Sequence, residues 1–226
     1  MPATTTPSRT ALLAGATGLV GRALLPLLLD QPAYSRVHVL LRRSASGIES
    51  HARLQIHSVD FTHLGALPKV DDVYIALGTT IKVAGSQQAF RQVDLEYVVA
   101  TARAAKASGA SRLAVVSALG ADTNSRVFYN RVKGEMQAAI AALGYETVTI
   151  AQPSLLSGNR AALGQPERAG EVWTLRLLGP VLGLVPRSVR PIAARDVAAA
   201  LLAATLNGKP GVQFLSSARM QGAARR

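Results

Sequence analysis

The chain has 226 residues, of which 49% are hydrophobic and 17% charged, proportions typical of a folded globular protein and not of a disordered one. It contains no cysteine, which excludes disulfides and thiolate metal sites, and the spacing of its histidines matches no metal-binding motif, so we expect no metal. The net charge is +12, but the arginines are scattered and are not interleaved with aromatic residues. We therefore expect no nucleic-acid partner, although an anionic substrate or cofactor would benefit from the same charge.

Membrane and export signals are also weak. No uncharged apolar stretch is long enough to span a bilayer, so we expect no transmembrane segment. The apolar stretch that starts at Ala11, after Arg9, resembles a secretory signal, but Arg22 and Pro26 interrupt it and no clear cleavage site follows. The sequence therefore predicts a cytoplasmic protein.

Apolar strands and helical patterns alternate along the first two thirds of the chain. The longest helix has Ser86 as its expected N-cap and Gly109 at its carboxyl end. In chain order, the predicted elements are strand Thr10–Ala14, helix Leu19–Asp30, strands Val37–Leu41, Leu54–Val59 and Val73–Leu77, helix Ser86–Ser108, strand Arg112–Ala118, helix Tyr129–Leu143 and strand Thr147–Ala151. This alternation predicts an α/β fold with a doubly wound, mostly parallel sheet of the Rossmann-like type.

The pattern changes after Pro153. We predict a loop over Ser157–Gly170, a broken helix over Trp173–Leu184, a helix over Arg195–Leu206, a strand over Val212–Leu215 and a mobile basic end over Ala218–Arg226. This tail is too small to be an independent domain. We therefore expect a single domain over residues 1–226, with residues 157–226 forming a small cap on the substrate side.

Three glycines at a spacing of three follow the first predicted strand and open the first helix. This layout is typical of a loop that holds a dinucleotide pyrophosphate, because helix-start amides and the helix dipole favour an anion there. We expect Gly15 to permit the tight bend, Gly18 to let the backbone approach the phosphates and Gly21 to let the helix pack close to the strand.

A second group of residues follows more than a hundred positions later. Ser117 ends the fifth predicted strand, where open α/β sheets place their ligands, and Tyr129 and Lys133 share one face of a helix. A neighbouring ammonium favours the phenolate, so the phenol can exchange a proton with a substrate oxygen that the serine holds. The lysine can also bind the nicotinamide ribose. This pattern predicts hydride transfer to or from a carbon that bears oxygen.

Each of these residues also has a structural interpretation. Tyrosine and lysine at helical spacing commonly form one exposed face, and serine at a strand end commonly caps a turn. Their combination with the glycine loop, on alternating strands and helices, favours the catalytic interpretation.

These motifs resemble the short-chain dehydrogenase/reductase superfamily. Within it, the chain is similar to the atypical branch that contains the Tat-interacting oxidoreductase-like proteins and their bacterial relatives. The segments that carry this resemblance are Leu77-Gly78-Thr79-Thr80, Val93-Asp94, Val116-Ser117-Ala118-Leu119-Gly120-Ala121-Asp122 and Phe128-Tyr129-Asn130-Arg131-Val132-Lys133-Gly134-Glu135. The resemblance runs from Thr10 to the end of the chain and weakens after Ser157.

The resemblance implies a role for matching positions. The glycine loop would line the pyrophosphate, the residues after the fourth strand would flank the adenosine and ribose, and those after the sixth would lie beside the nicotinamide. The pyrophosphate positions are Gly15, Thr17, Gly18, Leu19 and Val20. The adenosine and ribose positions are Leu77, Gly78 and Thr79, and the nicotinamide positions are Pro153, Ser154 and Leu155. Two positions depart from the pattern: many relatives carry asparagine near Asp94, and relatives often carry arginine where this chain has Gln152.

The end of the second strand informs the choice of cofactor. NAD-preferring sites place a carboxylate there to hold the ribose, whereas this strand ends in Arg42 and Arg43, with no acid before Glu49. Guanidinium groups match a 2′-phosphate, so we expect NADP, although two solvated arginines are the alternative. Asp60, after the third strand, either binds the adenine amino group or forms a turn.

The sequence therefore predicts an NADPH-dependent oxidoreductase acting on a small carbonyl or hydroxyl substrate. Two alternatives remain: an NADPH-binding regulator or scaffold without turnover, and a nucleotide-sugar epimerase or dehydratase, although the latter usually has a larger C-terminal domain and favours NAD. Arg190 and Arg195 are candidates for binding an anionic substrate group or for forming salt bridges. The helices Ser86–Ser108 and Tyr129–Leu143 are candidates for pairing in a homodimer, as in many relatives.

Overall fold

The computed structural model describes residues 8–42, 47–157 and 186–225. Its strands are β1 (Arg9–Ala14), β2 (Tyr34–Leu41), β3 (Leu54–Ser58), β4 (Asp72–Ile75), β5 (Arg112–Val116), β6 (Thr147–Gln152), β7 (Leu156–Ser157), β8 (Ile192–Ala193) and β9 (Gly211–Ser216). Its α-helices are α1 (Leu19–Asp30), α2 (Ile81–Ala84), α3 (Gln87–Arg91), α4 (Tyr97–Ala107), α5 (Phe128–Ala141), α6 (Ala194–Asn207) and α7 (Ser217–Met220). The predicted helix over Trp173–Leu184 lies outside the described residues.

Seven strands form a parallel sheet in the order β3-β2-β1-β4-β5-β6-β9, while β7 and β8 pair separately. The chain runs outwards from β1 to β3 and then crosses back to β4 on the other side of β1. Loops on either side of that reversal diverge and leave a crevice at the carboxyl ends of the strands. The predicted doubly wound, mostly parallel sheet is confirmed.

The core consists of two apolar clusters, one on each face of the sheet. Leu13 of β1 packs in the cluster that includes residues of α1 and α6, whereas its neighbour Leu12 packs with residues of α4 and α5. Successive side chains of a strand point to opposite faces, so a strand covered on both sides must be apolar throughout. This is the physical reason for the continuous apolar runs in the sequence.

Part of the region after residue 186 completes the main fold. Strand β9 pairs with β6 as the seventh strand of the sheet, and α6 packs against α1. The end from Ala218 is not the predicted mobile tail, because α7 and a 3₁₀ turn over Ala223–Arg225 occupy it. The carboxylate of Asp196 accepts hydrogen bonds from the amides of Gly222 and Ala224, both 3.1 Å, and so holds this segment on α6.

The predicted helix over Ser86–Ser108 is divided into three parts. Ser86 is its N-cap as expected and accepts a hydrogen bond from the amide of Ala89 at 3.0 Å. A π-helical turn over Gln92–Glu96 joins α3 to α4. Such turns insert an extra residue into a helix and re-aim the side chains on it, and here the side chain concerned is Asp94.

A histidine pair gives the fold a pH dependence. His38 is buried with its Nδ1 atom 2.9 Å from Nε2 of His57, and burial, His57 and Arg36 lower its pKa to about 4. The unfolded chain takes up this proton near pH 6.5 and the folded chain only near pH 4, so stability must fall as the pH drops between those values. Between those pH values, we expect the free energy of unfolding of the His38→Gln variant to fall by about 1–3 kcal/mol less than that of the wild-type protein, as measured by urea titrations. His63→Gln, at an exposed histidine, is the control; equal pH slopes in wild type and His38→Gln would contradict the assignment.

Candidate active site

A cleft crosses the carboxyl ends of the central strands, at the reversal of the sheet order. At one end it is lined by residues that include Thr17, Arg42 and Phe61, and in its middle by residues that include Gly78, Asp94 and Lys133. At the other end it opens into a cavity of about 450 Å³, here called the outer cavity. The residues that line the outer cavity are Ser117, Ala118, Leu119, Tyr129, Pro153, Ser154, Leu155, Leu156 and Val189.

The glycine loop between β1 and α1 depends on close backbone contacts. Gly15 has a φ of +91°, and a Cβ there would lie 2.5 Å from the carbonyl of Ala76. A Cβ on Gly21 would lie 2.0 Å from the carbonyl oxygen of Gly15, so α1 packs on the loop itself. By contrast, a Cβ on Gly18 would make only ordinary contacts of 3.5 Å or more. Gly18 lines the cleft as the N-cap of α1, with no side-chain cap, which leaves the helix start accessible from the cleft.

Ser117 lies one residue beyond β5 and its hydroxyl belongs to a chain of side chains. Gln137 Nε2 donates to Ser117 Oγ at 2.6 Å, and Gln152 Nε2 donates to Gln137 Oε1 at 3.3 Å. In this arrangement Ser117 accepts from Gln137, which leaves the serine proton for a group in the cleft. The position that departs from the family pattern, Gln152, therefore supports Ser117 indirectly.

Helix α5 brings Tyr129 to the same part of the cleft. Its ring packs against Phe90 with centroids 5.4 Å apart, and it lines both the middle of the cleft and the outer cavity. The helix can approach this closely because of Gly134, where a Cβ would lie 2.3 Å from the backbone of Asp122 and Thr123. Ser117 and Tyr129 thus line one cavity although they come from different elements.

Lys133, one turn after Tyr129, forms a buried ion pair that the sequence did not predict. Its Nζ atom lies 2.7 Å from Oδ1 of Asp94, and the two side chains are 5% and 1% exposed. Oδ2 of Asp94 accepts a hydrogen bond from the amide of Thr79 at 2.8 Å. Burial by itself lowers the pKa of Lys133, but the Asp94 carboxylate and the Tyr129 phenol outweigh it, so the pKa is raised and the ammonium persists.

The role of Asp94 was missed by sequence reasoning, which noted it only as a departure from the family pattern. A carboxylate on an otherwise apolar helix face was the signal that could have located it, since a buried charge requires a partner. Its bridge joins the loop after β4 to the lysine of α5.

Most of the other predicted site residues lie in the cleft or the outer cavity. They are Gly15, Thr17, Gly18, Leu19, Val20, Arg42, Leu77, Gly78, Thr79, Pro153, Ser154 and Leu155. Gly21 lies under the glycine loop and is not among the lining residues. Arg43 lies outside the described residues.

Asp60 makes the hydrogen bonds of a turn, one of the two roles predicted for it. Its Oδ1 atom accepts from the amide of Thr62 at 2.8 Å and from the Thr62 hydroxyl at 2.6 Å, and these bonds lower its pKa. The side chain is exposed and outside the cleft, which Phe61 lines instead. A carboxylate that starts a turn two residues before a threonine is explained by local geometry alone.

The parallel sheet reverses its strand order at the glycine loop, and the start of α1 is open to the cleft. These features define a dinucleotide-binding protein of the Rossmann type. Comparison with known proteins agrees: residues 15–156 match the family model described as NAD(P)H-binding. The chain belongs to this NAD(P)H-binding family, in the atypical branch of the short-chain dehydrogenase/reductase superfamily.

Relatives and solved structures support the same assignment. The chain is 31% identical over 186 residues to the mitochondrial protein fmp52 of Emericella nidulans, covering 79% of this chain and 78% of the relative. It is 32% identical over 174 residues to HTATIP2 of Rattus norvegicus, covering 75% and 69%. The structure of MoeE5 in complex with UDP-glucose and NAD superposes with a TM-score of 0.66 at 15% identity, covering 92% and 76%, and shows the shared fold.

The comparison corrects one prediction. The prediction of a cytoplasmic protein is wrong, because fmp52 and its fungal counterparts, to which the chain is similar, are named as mitochondrial proteins. Within the described ranges, no helix combines the length and apolar character needed to cross a bilayer.

Proposed function

We propose that the protein is an NADPH-dependent oxidoreductase that converts a small carbonyl compound to an alcohol or runs the reverse reaction. The observation that carries this proposal is the meeting of Ser117, Tyr129 and Lys133 in one cleft with the glycine loop. Ser117 directly follows β5, Tyr129 and Lys133 lie on α5, and Asp94 links the lysine to the loop after β4.

In this proposal a dinucleotide lies along the cleft. The glycine loop and the uncapped start of α1 would hold the pyrophosphate, and the loop over Leu77–Thr79 would flank the adenosine side. When bound, NADPH supplies the hydride for the reduction. Lys133 would bind the nicotinamide ribose and so fix the distance between the cofactor and Tyr129.

The chain's own groups then manage the proton and the developing charge. Tyr129 donates its phenol proton to the carbonyl oxygen, and Ser117 donates a hydrogen bond to the same oxygen. The Lys133 ammonium stabilises the phenolate that remains. Asp94 keeps that ammonium charged and in place, so it is a positioning residue in this scheme.

A nucleotide-sugar epimerase is the second candidate, favoured by the structural likeness to MoeE5, a protein solved with UDP-glucose and NAD. The two candidates differ in net redox change. A carbonyl reductase consumes NADPH in proportion to product, whereas an epimerase returns the hydride and leaves the cofactor unchanged. Following NADPH absorbance during incubation with benzaldehyde and with UDP-glucose separates them.

Cofactor preference gives the first test of this proposal. Arg42 is exposed and lines the cleft at the end of β2, where NAD-preferring sites carry an acid. A guanidinium there pairs with the 2′-phosphate of NADPH. We expect NADPH to bind at least about tenfold more tightly than NADH, and Arg42→Asp to reverse that order, measured by fluorescence titration of each cofactor.

Arg36→Asp is the matched control, because Arg36 lies on the same strand and is exposed outside the cleft. The control should leave the ratio of the two dissociation constants unchanged. Equal affinities in the wild-type protein would refute NADPH preference while leaving dinucleotide binding intact.

A further inference from the structure

The walls of the outer cavity come from three segments. Leu119 follows β5, Leu155 and Leu156 follow β6, and Val189 precedes β8. Leu119 is 40% exposed and Val189 51% exposed, although both are apolar. Apolar side chains left in water beside a reactive group gain free energy when an apolar ligand covers them.

Backbone hydrogen bonds fix these walls in relation to each other. The amide of Leu119 donates to the carbonyl of Pro153 at 2.8 Å, which ties the loop after β5 to the loop after β6. The amide of Ile192 donates to the carbonyl of Leu155 at 2.9 Å, and Leu156 pairs with Ile192 between β7 and β8. The cavity is therefore preformed, as small-molecule sites generally are.

Few polar side chains line the outer cavity, and they do not share one role. The Ser154 hydroxyl donates to the carbonyl of Arg190 and lies 2.9 Å from Oγ of Ser217, so it serves the fold. Ser117 and Tyr129 supply the remaining hydroxyls. None of the described residues that line the outer cavity is charged, and Arg190 is not among them.

We propose that the substrate is an uncharged carbonyl compound with an apolar body, such as an aromatic or medium-chain aliphatic aldehyde or ketone. This inference rests on the proposed function and deepens it. One oxygen meets Ser117 and Tyr129, and the hydrocarbon part covers Leu119 and Val189. In the reduction, a hydride from NADPH forms the new C–H bond and the Tyr129 proton forms the O–H bond, giving NADP⁺ and the alcohol.

A matched substrate pair tests this inference. Benzaldehyde and 4-carboxybenzaldehyde have the same reactive group and differ by one charge. We expect kcat/KM for benzaldehyde to exceed that for the carboxylated compound by about tenfold or more, because the carboxylate would be desolvated against apolar walls. In the series from butanal to octanal, kcat/KM should rise by about 2- to 4-fold per methylene until the cavity is filled.

The substitution Leu119→Arg tests whether the cavity wall causes the preference. It should lower kcat/KM for benzaldehyde by about tenfold and raise it for 4-carboxybenzaldehyde. Val212→Arg is the matched control, because Val212 is 43% exposed and lies on β9, outside the cleft. The control should keep the wild-type preference.

The outcomes separate this inference from the proposed function. Equal or faster turnover of the carboxylated aldehyde overturns the substrate class and leaves the oxidoreductase standing. If neither aldehyde consumes NADPH, the proposed function fails, and ligand-observed NMR with benzyl alcohol and 4-(hydroxymethyl)benzoate decides the binding preference. Preferential binding of benzyl alcohol that Leu119→Arg abolishes supports the inference, and preferential binding of the benzoate overturns it.

Discussion

Replacing Tyr129 by phenylalanine should lower kcat by about 10²- to 10⁴-fold and leave the dissociation constant of NADPH nearly unchanged. The range is that of general acid catalysis, since the substitution removes one hydroxyl and keeps the ring that packs against Phe90. The rate is measured as NADPH oxidation with a saturating aldehyde. The binding constant comes from fluorescence titration of the cofactor.

Tyr145→Phe is the matched control for this experiment. Tyr145 is buried outside the cleft, where its hydroxyl donates to the carbonyl of Ala102, so this variant also loses one phenol group. It should lose stability, by about 1 kcal/mol, and keep its kcat. An unchanged rate in Tyr129→Phe would show that Tyr129 is not the proton donor, whereas NADPH binding without NADPH oxidation in the wild-type protein would favour a regulator or scaffold.

Replacing Asp94 by asparagine should destabilise the fold by about 3–5 kcal/mol, because it leaves the Lys133 ammonium buried without its partner. The asparagine can still accept from the Thr79 amide but cannot balance the charge. With the carboxylate gone, burial lowers the pKa of Lys133, and the alkaline limit of the pH–rate profile should move to lower pH. Urea titrations and pH–rate profiles measure the two effects.

Two further variants separate charge from packing. In the double variant Asp94→Asn with Lys133→Met, no unpaired charge remains, so most of the lost stability should return, while activity should be lost because Lys133 is missing. Glu135→Gln breaks the partly exposed ion pair with Arg91, whose side chain is 43% exposed, and should cost less than about 1 kcal/mol. A double variant as unstable as the single one would show that the ion pair is not the source of the loss.

The fold was largely predictable because its determinants are local. Strand β1 and helix α1 begin and end within one residue of their predicted limits, since each has a clear apolar pattern beside the glycine loop. The division of the predicted helix Ser86–Ser108 was not predictable, because the sequence of the π-helical turn is compatible with an uninterrupted α-helix. The turn contains Asp94, whose partners Thr79 and Lys133 lie on other elements.

The candidate site was predictable in part. Ser117, Tyr129 and Lys133 were singled out because their types and spacing are typical of such chemistry, and the structure brings the three residues to one cleft. Asp94 and Gln137 were not assigned roles, since a carboxylate or an amide on a helix gives no sign of its partner on another element.

The amino-acid sequence by itself determined the alternation of strands and helices, the glycine loop and the residue types needed for proton transfer, because each depends on neighbours close along the chain. Only the tertiary structure decided that β9 joins the central sheet and that Asp94 pairs with Lys133. These outcomes depend on which surfaces meet in three dimensions, where burial leaves a charge stable only beside its counter-charge.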